Sequence, residues 1–385
     1  MTISRRTVLY SLGGASVALV GSGGLFAATR TPKKALQAWN DIETSAPGDV
    51  RLDAFRHAIL APNPHNRQPW QIRLVGADRA LITCDLKRRL PQTDPFDRQI
   101  LIGFGCFLEI ARMAAAERGV RMDIEAFPSG TPADRLDSRP IAELRFVDDP
   151  GVAKDSLFRL IPARRSNKRP FDLAHRVDKQ AMADLVGIDV PKIKVRVSNE
   201  DKLVMSLRAL TWDAWLIELK TARTWQETVD LMRIGKAEIE ANPDGVSIGG
   251  PMLEALALTG QISREQMAAP GSTAYMTAID RYLPTMASGM AYGWVITEGN
   301  TRFEQLETGR AWVRMNLEAT GHGLGFHPVS QALQEFKEME LQFTKLHALL
   351  DAKPGQRIQM LARLGYGHLV PNTPRWPLQS KLVGV

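Results

Sequence analysis

Cysteine is nearly absent: Cys84 and Cys106 are the only two in 385 residues. Both lie in apolar strings, Leu81-Ile82-Thr83-Cys84 and Gly103-Phe104-Gly105-Cys106-Phe107-Leu108. They read as small core residues rather than reactive thiols, and no disulfide framework is indicated. The spacings that hold zinc are missing as well, since His322 and His327 lack the carboxylate or cysteine company a metal pair needs. Aromatics make up only 7% and do not interleave with the short basic clusters Lys87-Arg88-Arg89 and Arg164-Arg165. The net charge of +7 therefore reads as a solvated basic surface, and nucleic acid is not an expected partner. Past residue 30, no segment has the long apolar run that spans a bilayer.

What is present suits a folded, soluble-type core. Hydrophobic content is 44% and charged content 24%, ordinary values for a globular chain, and the length suggests about two or three domain-sized units. The N-terminus stands apart. Ser4-Arg5-Arg6-Thr7-Val8-Leu9 is a twin-arginine pattern, and an uncharged Gly/Ala/Val/Leu stretch runs from Tyr10 to Ala28. That is the charged-then-apolar layout of an export signal. Residues 1–30 are expected to engage the export machinery and send the protein outside the cytoplasm. It would then be periplasmic, or held at the membrane by an uncleaved signal; cleavage near Ala27-Ala28 and retention as an anchor both remain open.

The rest of the chain alternates between two periods. Residues 33–60 are helical and amphipathic with a break at Pro47-Gly48, and Asp53 is a candidate helix cap. Trp70–Val75 and Ala80–Cys84 alternate as strands across a turn. Asp94 to Gly119 carries its apolar residues on one broad helical face, and Met122–Phe127 and Ile141–Phe146 are further strands. From Pro150 the order restarts: a helix, the string at Arg164, a helix over 178–186, a strand at Ile193–Val197, a helix-rich region to Met290, a strand at Tyr292–Thr297, a helix over 308–320 and a closing strand at Arg357–Tyr366. Helix, loop, strand, long helix, strand occurs twice, an internal repeat by order of elements rather than by identity.

Two strings carry the chemistry. Arg164-Arg165-Ser166-Asn167-Lys168-Arg169 sets four cations and a hydroxyl within six residues. Taken alone it reads as a solvated basic turn, yet guanidinium pairs also suit a phosphomonoester. Pro62-Asn63-Pro64-His65-Asn66-Arg67-Gln68-Pro69-Trp70 is the other. Together they resemble signatures of the FMN-dependent nitroreductase superfamily, and most closely its twin-domain, dormancy-associated branch. In that family the arginine string comes first and the Asn-x-Gln-Pro-Trp string follows; here the order is reversed.

The resemblance implies an α+β fold of two tandem nitroreductase-like α-β-α halves, an internal pseudo-dimer in one monomeric chain. Residues 31–149 would form one half and 150–385 the other, with residues 233–290 as a lid. One FMN would lie between them. Arg164, Ser166 and Arg375 would meet its phosphate, with Arg165 and Arg169 beside them, and Lys168 the pyrimidine edge. Pro62, Asn63, Pro64, His65, Asn66 and Gln68 would face it from the first half. Gly323, Leu324 and Gly325 would form a turn that lets backbone approach the ring. Asn63 and Pro64 replace two serines of the family pattern, and Pro64 offers neither N–H nor hydroxyl. The implied activity is hydride or electron transfer to a small conjugated acceptor, a nitro compound or quinone-like molecule, from a donor the sequence does not name. The alternative is an exported flavin-binding or flavin-storing protein without turnover.

Overall fold

In a computed structural model describing residues 29–384, two four-stranded antiparallel sheets flank a pair of crossed helices. The first half contains α1 (Gln37–Asp41), α2 (Val50–Ala58), β1 (Trp70–Val75), β2 (Arg79–Cys84), α3 (Arg98–Glu117), β3 (Val120–Ala126) and β4 (Ala142–Asp148). The second contains α4 (Lys179–Val186), β5 (Ile193–Ser198), α5 (Asp201–Lys220), α6 (Ala222–Asp230), β6 (Met232–Ile234), α7 (Gly235–Ala241), β7 (Val246–Ile248), α8 (Pro251–Leu258), α9 (Arg264–Ala268), α10 (Thr273–Ala287), β8 (Ala291–Thr297), α11 (Arg302–Gly321), β9 (Gly325–Pro328), α12 (Glu340–Leu349) and β10 (Arg357–Gly365). The twin-arginine string and the apolar stretch to Ala28 lie outside the described residues.

The sheets have the same topology. One runs β1-β2-β4-β3 and the other β5-β8-β10-β9, so each strand has a counterpart in the same place. The long helices are counterparts too: α3 and α11 are both 20 residues long and both begin with arginine. They cross at two glycines. A Cβ on Gly105 would stand 2.0 Å from the Leu306 carbonyl oxygen, and one on Gly309 would stand 2.0 Å from that of Ile102. Only glycine permits this backbone-to-backbone approach.

The two leading arginines reach across reciprocally. Arg98 donates to the carbonyls of Leu333 and Gln359 and pairs with Glu335 at 3.0 Å. Arg302 donates to the carbonyls of Phe96 and Asp134. Each helix start thus clamps backbone of the opposite half, the self-complementary pattern of a two-fold dimer interface built within one chain. The C-terminal tail crosses over as well, with Val383 N–H donating to the Ile72 carbonyl at the edge of β1. The α+β architecture of two similarly built halves is therefore present.

Several local expectations change. Asp49, not Asp53, caps α2, accepting from Arg51 N–H at 2.9 Å; Asp53 is buried and pairs with Arg56 and Arg118. The helix expected at 308 starts at Arg302, behind a capping box in which Thr301 and Glu304 exchange side-chain and backbone bonds. β9 begins at Gly325, the last residue of the expected glycine turn, and runs on to Pro328, where the sequence pattern predicts no strand. Helix α3 is apolar and long enough to cross a bilayer, but it is the buried partner of α11. Cys84 and Cys106 are buried and free, and burial pushes both thiols far up, as expected of core residues.

Candidate functional site

The two strings meet. Arg164 stands at the end of a short 3-10 turn (Phe158–Ala163) and is 3% exposed. It donates to the Leu60 carbonyl at 3.0 Å and to Asn316 Oδ1 at 2.8 Å. Arg375, also 3% exposed, donates to the carbonyls of Leu60 and Ala61 at 3.2 Å and to Asn66 Oδ1 at 2.6 Å. Arg165 stacks over the Trp39 ring at 5.0 Å, with Arg375 over the same ring at 5.7 Å. Residues far apart in sequence thus converge on the carbonyls that lead into the Pro62–Gln68 loop.

The electrostatics of this cluster are one-sided. Among the described residues no carboxylate pairs with Arg164, Arg165 or Arg375, and the Nε of each is buried without a partner. Burial lowers Arg164 to about 10, with the Arg165 charge adding to it. Burial, then the charges of Arg164 and Arg165, hold Arg375 well below the ordinary arginine range. Uncompensated buried cations are costly; a dianion in their midst would supply both charge and acceptors.

The loop itself is strained. His65, Asn66 and Gln68 have φ of 46°, 51° and 50°, left-handed values that non-glycine residues seldom adopt and that cluster at functional sites. Most of its polar groups are already engaged. Asn63 Oδ1 accepts from Gln68 N–H at 2.7 Å, and Asn66 orients Arg375. Gln68 donates to the Pro243 carbonyl and accepts from Trp376 N–H. Asn63, Asn66 and Gln68 thus brace the loop, Arg375 and the chain at Pro243 and Trp376. Pro62 and Pro64 shape the turn, and Asn63 and Pro64 sit against Gly103 of α3. Only His65 keeps a free polar atom: its Nδ1 is buried without a partner. Burial and the nearby Lys168 and Arg67 charges push this imidazole down to about 4.

Lys168 is exposed, yet desolvation lowers its ammonium. Glu218 lies close enough to raise Lys168 in return. It is buried, accepts from Gln334 Nε2 at 3.0 Å, and burial raises it to about 7. Beside it, Arg363 Nε donates to His327 Nδ1 at 2.7 Å, and His327 Nε2 stands 3.3 Å from Tyr282 Oη on α10. Burial and the Arg363 and Lys168 charges keep His327 neutral. Glu218, Tyr282, His327, Arg363 and Trp39 gave no signal in the sequence, because each depends on packing between distant elements. Ser166 is half-buried between Arg165 and the buried Asn167, while Arg169 is exposed and gives its carbonyl to Arg363.

The glycine turn has a clear part in the packing. Gly323 (φ 67°) ends α11 in a left-handed cap, with Leu324 N–H returning to the Ala319 carbonyl. Leu324 is core. A Cβ on Gly325 would stand 2.4 Å from Phe171, so that glycine makes room for Phe171, whose ring also receives Arg363 at 4.0 Å. His322, expected to lack carboxylate company, has it: its Nε2 stands 3.0 Å from Asp184 and 3.3 Å from Glu318, and His327 is not part of that group.

Residues 243–245, within the segment expected as a lid (233–290), touch the loop: Gly245 N–H donates to the Asn66 carbonyl and the Pro243 carbonyl accepts from Gln68. Buried Asp244 takes Arg67, Arg88 and Arg233, and Thr285 donates to the Lys168 carbonyl. Met267 and Tyr275 of this segment pack with Met232 of β6, Trp215 of α5 and Trp225 of α6 in a separate small core.

No family model matches the chain. It is similar to acg of Mycobacterium tuberculosis, provisionally named an NAD(P)H nitroreductase: 30% identity over 176 residues, 43% of this chain and 52% of that protein. The chain thus spans about half the length of that relative. A second protein of the same organism with the same provisional name is 24% identical over 329 residues, 84% of this chain and 88% of its own. Among solved structures, a nitroreductase-like family protein from Bacillus cereus superposes with a TM-score of 0.33 at 15% identity, covering 60% of this chain and 97% of its own. The FMN-dependent nitroreductase NfnB from Mycobacterium smegmatis gives 0.36 at 15%, covering 58% and 94%. No residue role here rests on either superposition.

Proposed function

We propose that this chain is an FMN-binding oxidoreductase of the nitroreductase superfamily that passes hydride or electrons to a small conjugated acceptor, a nitro compound or a quinone-like molecule. The observation that carries the reading is the cluster of buried Arg164 and Arg375 with half-buried Arg165, with three partnerless Nε atoms and, among the described residues, no acid paired to it. A phosphomonoester dianion fits that donor set. When bound, FMN supplies the two-electron chemistry. The protein's own residues bind and tune: Lys168 would set a positive charge where reduced flavin is anionic, and neutral His65 lies near that charge. Arg363 fixes the His327 proton on Nε2, which donates to Tyr282 Oη. The Tyr282 O–H is then free to donate to an acceptor oxygen.

Export by the twin-arginine route belongs to the same proposal, as do a first half ending near residue 149, the lid over about 233–290 and a monomeric chain. Outside the cytoplasm a quinol or redox protein suits the donor role better than NAD(P)H. A second reading, flavin binding or storage without turnover, draws support from the lid's anchorage: Asp244, Gln68 and Thr285 tie it down on several sides.

The test is direct. The purified protein should be yellow with bound FMN, reduce with dithionite, and reoxidise when a nitroaromatic or quinone is added. Colourless protein that takes up no FMN removes both readings; bound flavin that no acceptor reoxidises leaves only storage. Arg164→Ala and Arg375→Ala should each weaken FMN by about 1.5–3 kcal/mol, measured by fluorescence titration, whereas Arg169→Ala should have little effect.

A further inference from the structure

Helix α8 is inside out. Its sequence is Pro-Met-Leu-Glu-Ala-Leu-Ala-Leu, with Glu254 its single charged residue. Glu254 is the side chain it buries, at 8% exposure, while Met252 is 57% and Leu258 72% exposed. Pro251 and Ala255 are also exposed. A buried acid beneath exposed apolar groups reverses the rule for a surface helix, and such a patch marks an interaction surface.

The position of this patch says what covers it. Glu254 accepts from Lys236 N–H at 3.1 Å and pairs with Arg30 at 3.5 Å. Lys236 Nζ donates to the Thr29 carbonyl at 3.1 Å, and Lys34 N–H to Glu240 at 3.3 Å. The described chain therefore begins against α7 and α8. Immediately before Thr29 comes the uncharged stretch Tyr10–Ala28, and just after it come Arg30, Lys33 and Lys34. An apolar stretch followed by basic residues is the layout of a segment that enters a lipid bilayer at a charged headgroup boundary.

We propose that α8 rests on the lipid bilayer that the chain's own N-terminal segment enters. Pro251, Met252, Ala255 and Leu258 lie in the boundary between headgroups and acyl chains, and Arg30, Lys33 and Lys34 lie at the headgroups. Glu254 is buried because it fixes α8 to the point where the chain leaves the membrane. The lid thereby faces the bilayer. This inference does not depend on the flavin reading; it rests on the N-terminal segment being kept at the membrane as an anchor rather than cleaved near Ala27-Ala28.

The experiment uses the full chain in vesicles of phosphatidylcholine and phosphatidylglycerol. Leu258→Cys is labelled with an environment-sensitive fluorophore; the native thiols are buried, so the label is single. Arg145→Cys, exposed on the sheet of the first half, is the control, and Met252→Cys gives an independent second position. The labels at 258 and 252 should shift to the blue, lose emission to doxyl-labelled lipid and resist aqueous iodide, while the label at 145 behaves in the opposite way. Iodide quenching at 258 and 252 equal to that at 145 overturns the proposal. Protection from both quenchers also overturns it, because the chain's own residues 10–28 or another protein would then cover α8. A chain that does not float with the vesicles overturns it as well.

Discussion

Glu218 and Tyr282 show what burial does to a single side chain. Burial raises Glu218 from its ordinary 4.5 to about 7. Between those values the unfolded chain has lost the proton that the folded chain keeps, so stability falls as pH rises through the window and levels off above it. Glu218→Gln keeps the shape and removes the titration. Its melting temperature relative to the parent should climb from about pH 4.5 to about pH 7, a gain of at most about 1.4 kcal/mol per pH unit. A difference that does not vary with pH would mean that the carboxyl stays ionised. Tyr282→Phe removes one hydroxyl proton and little else. Acceptor reduction should drop by about 10²-fold or more in stopped-flow reoxidation, with FMN affinity unchanged. Neither residue was legible in the sequence. The Arg164 and Arg375 strings were, because a run of cations against a known pattern is local information. The Glu218 carboxylate near Lys168 is not local: it comes from a helix about fifty residues after Lys168, and only packing brings it there.

At the scale of elements, the crossing of α3 and α11 is set by two atoms that are missing. Gly105→Ala would drive a methyl group to 2.0 Å from a carbonyl oxygen, a backbone contact that no rotamer change relieves. The helices must separate, and every side chain interleaved along them loses contact. A loss of about 3 kcal/mol or more is expected, read as a lower denaturation midpoint in urea. Gly48→Ala, with nothing within 4 Å of the added carbon, should be near neutral. The long helices and most strands were visible from periodicity alone. β9 was not, since Gly-Phe-His-Pro has neither length nor alternation; it is a strand because β10 lies alongside it. The start of α11 could have been read from Thr301-x-x-Glu304, a capping box. The six residues it adds include Leu306, whose carbonyl receives the helix crossing.

Across the whole molecule the question is whether two similarly built halves behave as two domains or one. The largest hydrophobic cluster answers it. Phe55, Trp70, Ile100 and Phe107 of the first half share one continuous buried core with Leu306, Trp312, Phe326 and Leu364 of the second. Arg98 and Arg302 clamp each half to the other's backbone, and the tail after β10 returns to β1. Neither half can expose its long helix to water without uncovering that core. Separate domains would melt separately; a shared core forces one transition. Trp39 and Trp70 report the first half and Trp294 and Trp312 the second, so tryptophan fluorescence, far-ultraviolet circular dichroism and calorimetry should give coincident melting curves, with calorimetric and van't Hoff enthalpies equal. On the proposed site, where Leu60 and Arg164 meet, added FMN should shift that single curve upward by an amount that grows with the logarithm of free FMN. Two resolved transitions, or a shift confined to one set of tryptophans, would show that the halves fold independently and that the flavin belongs to one of them alone.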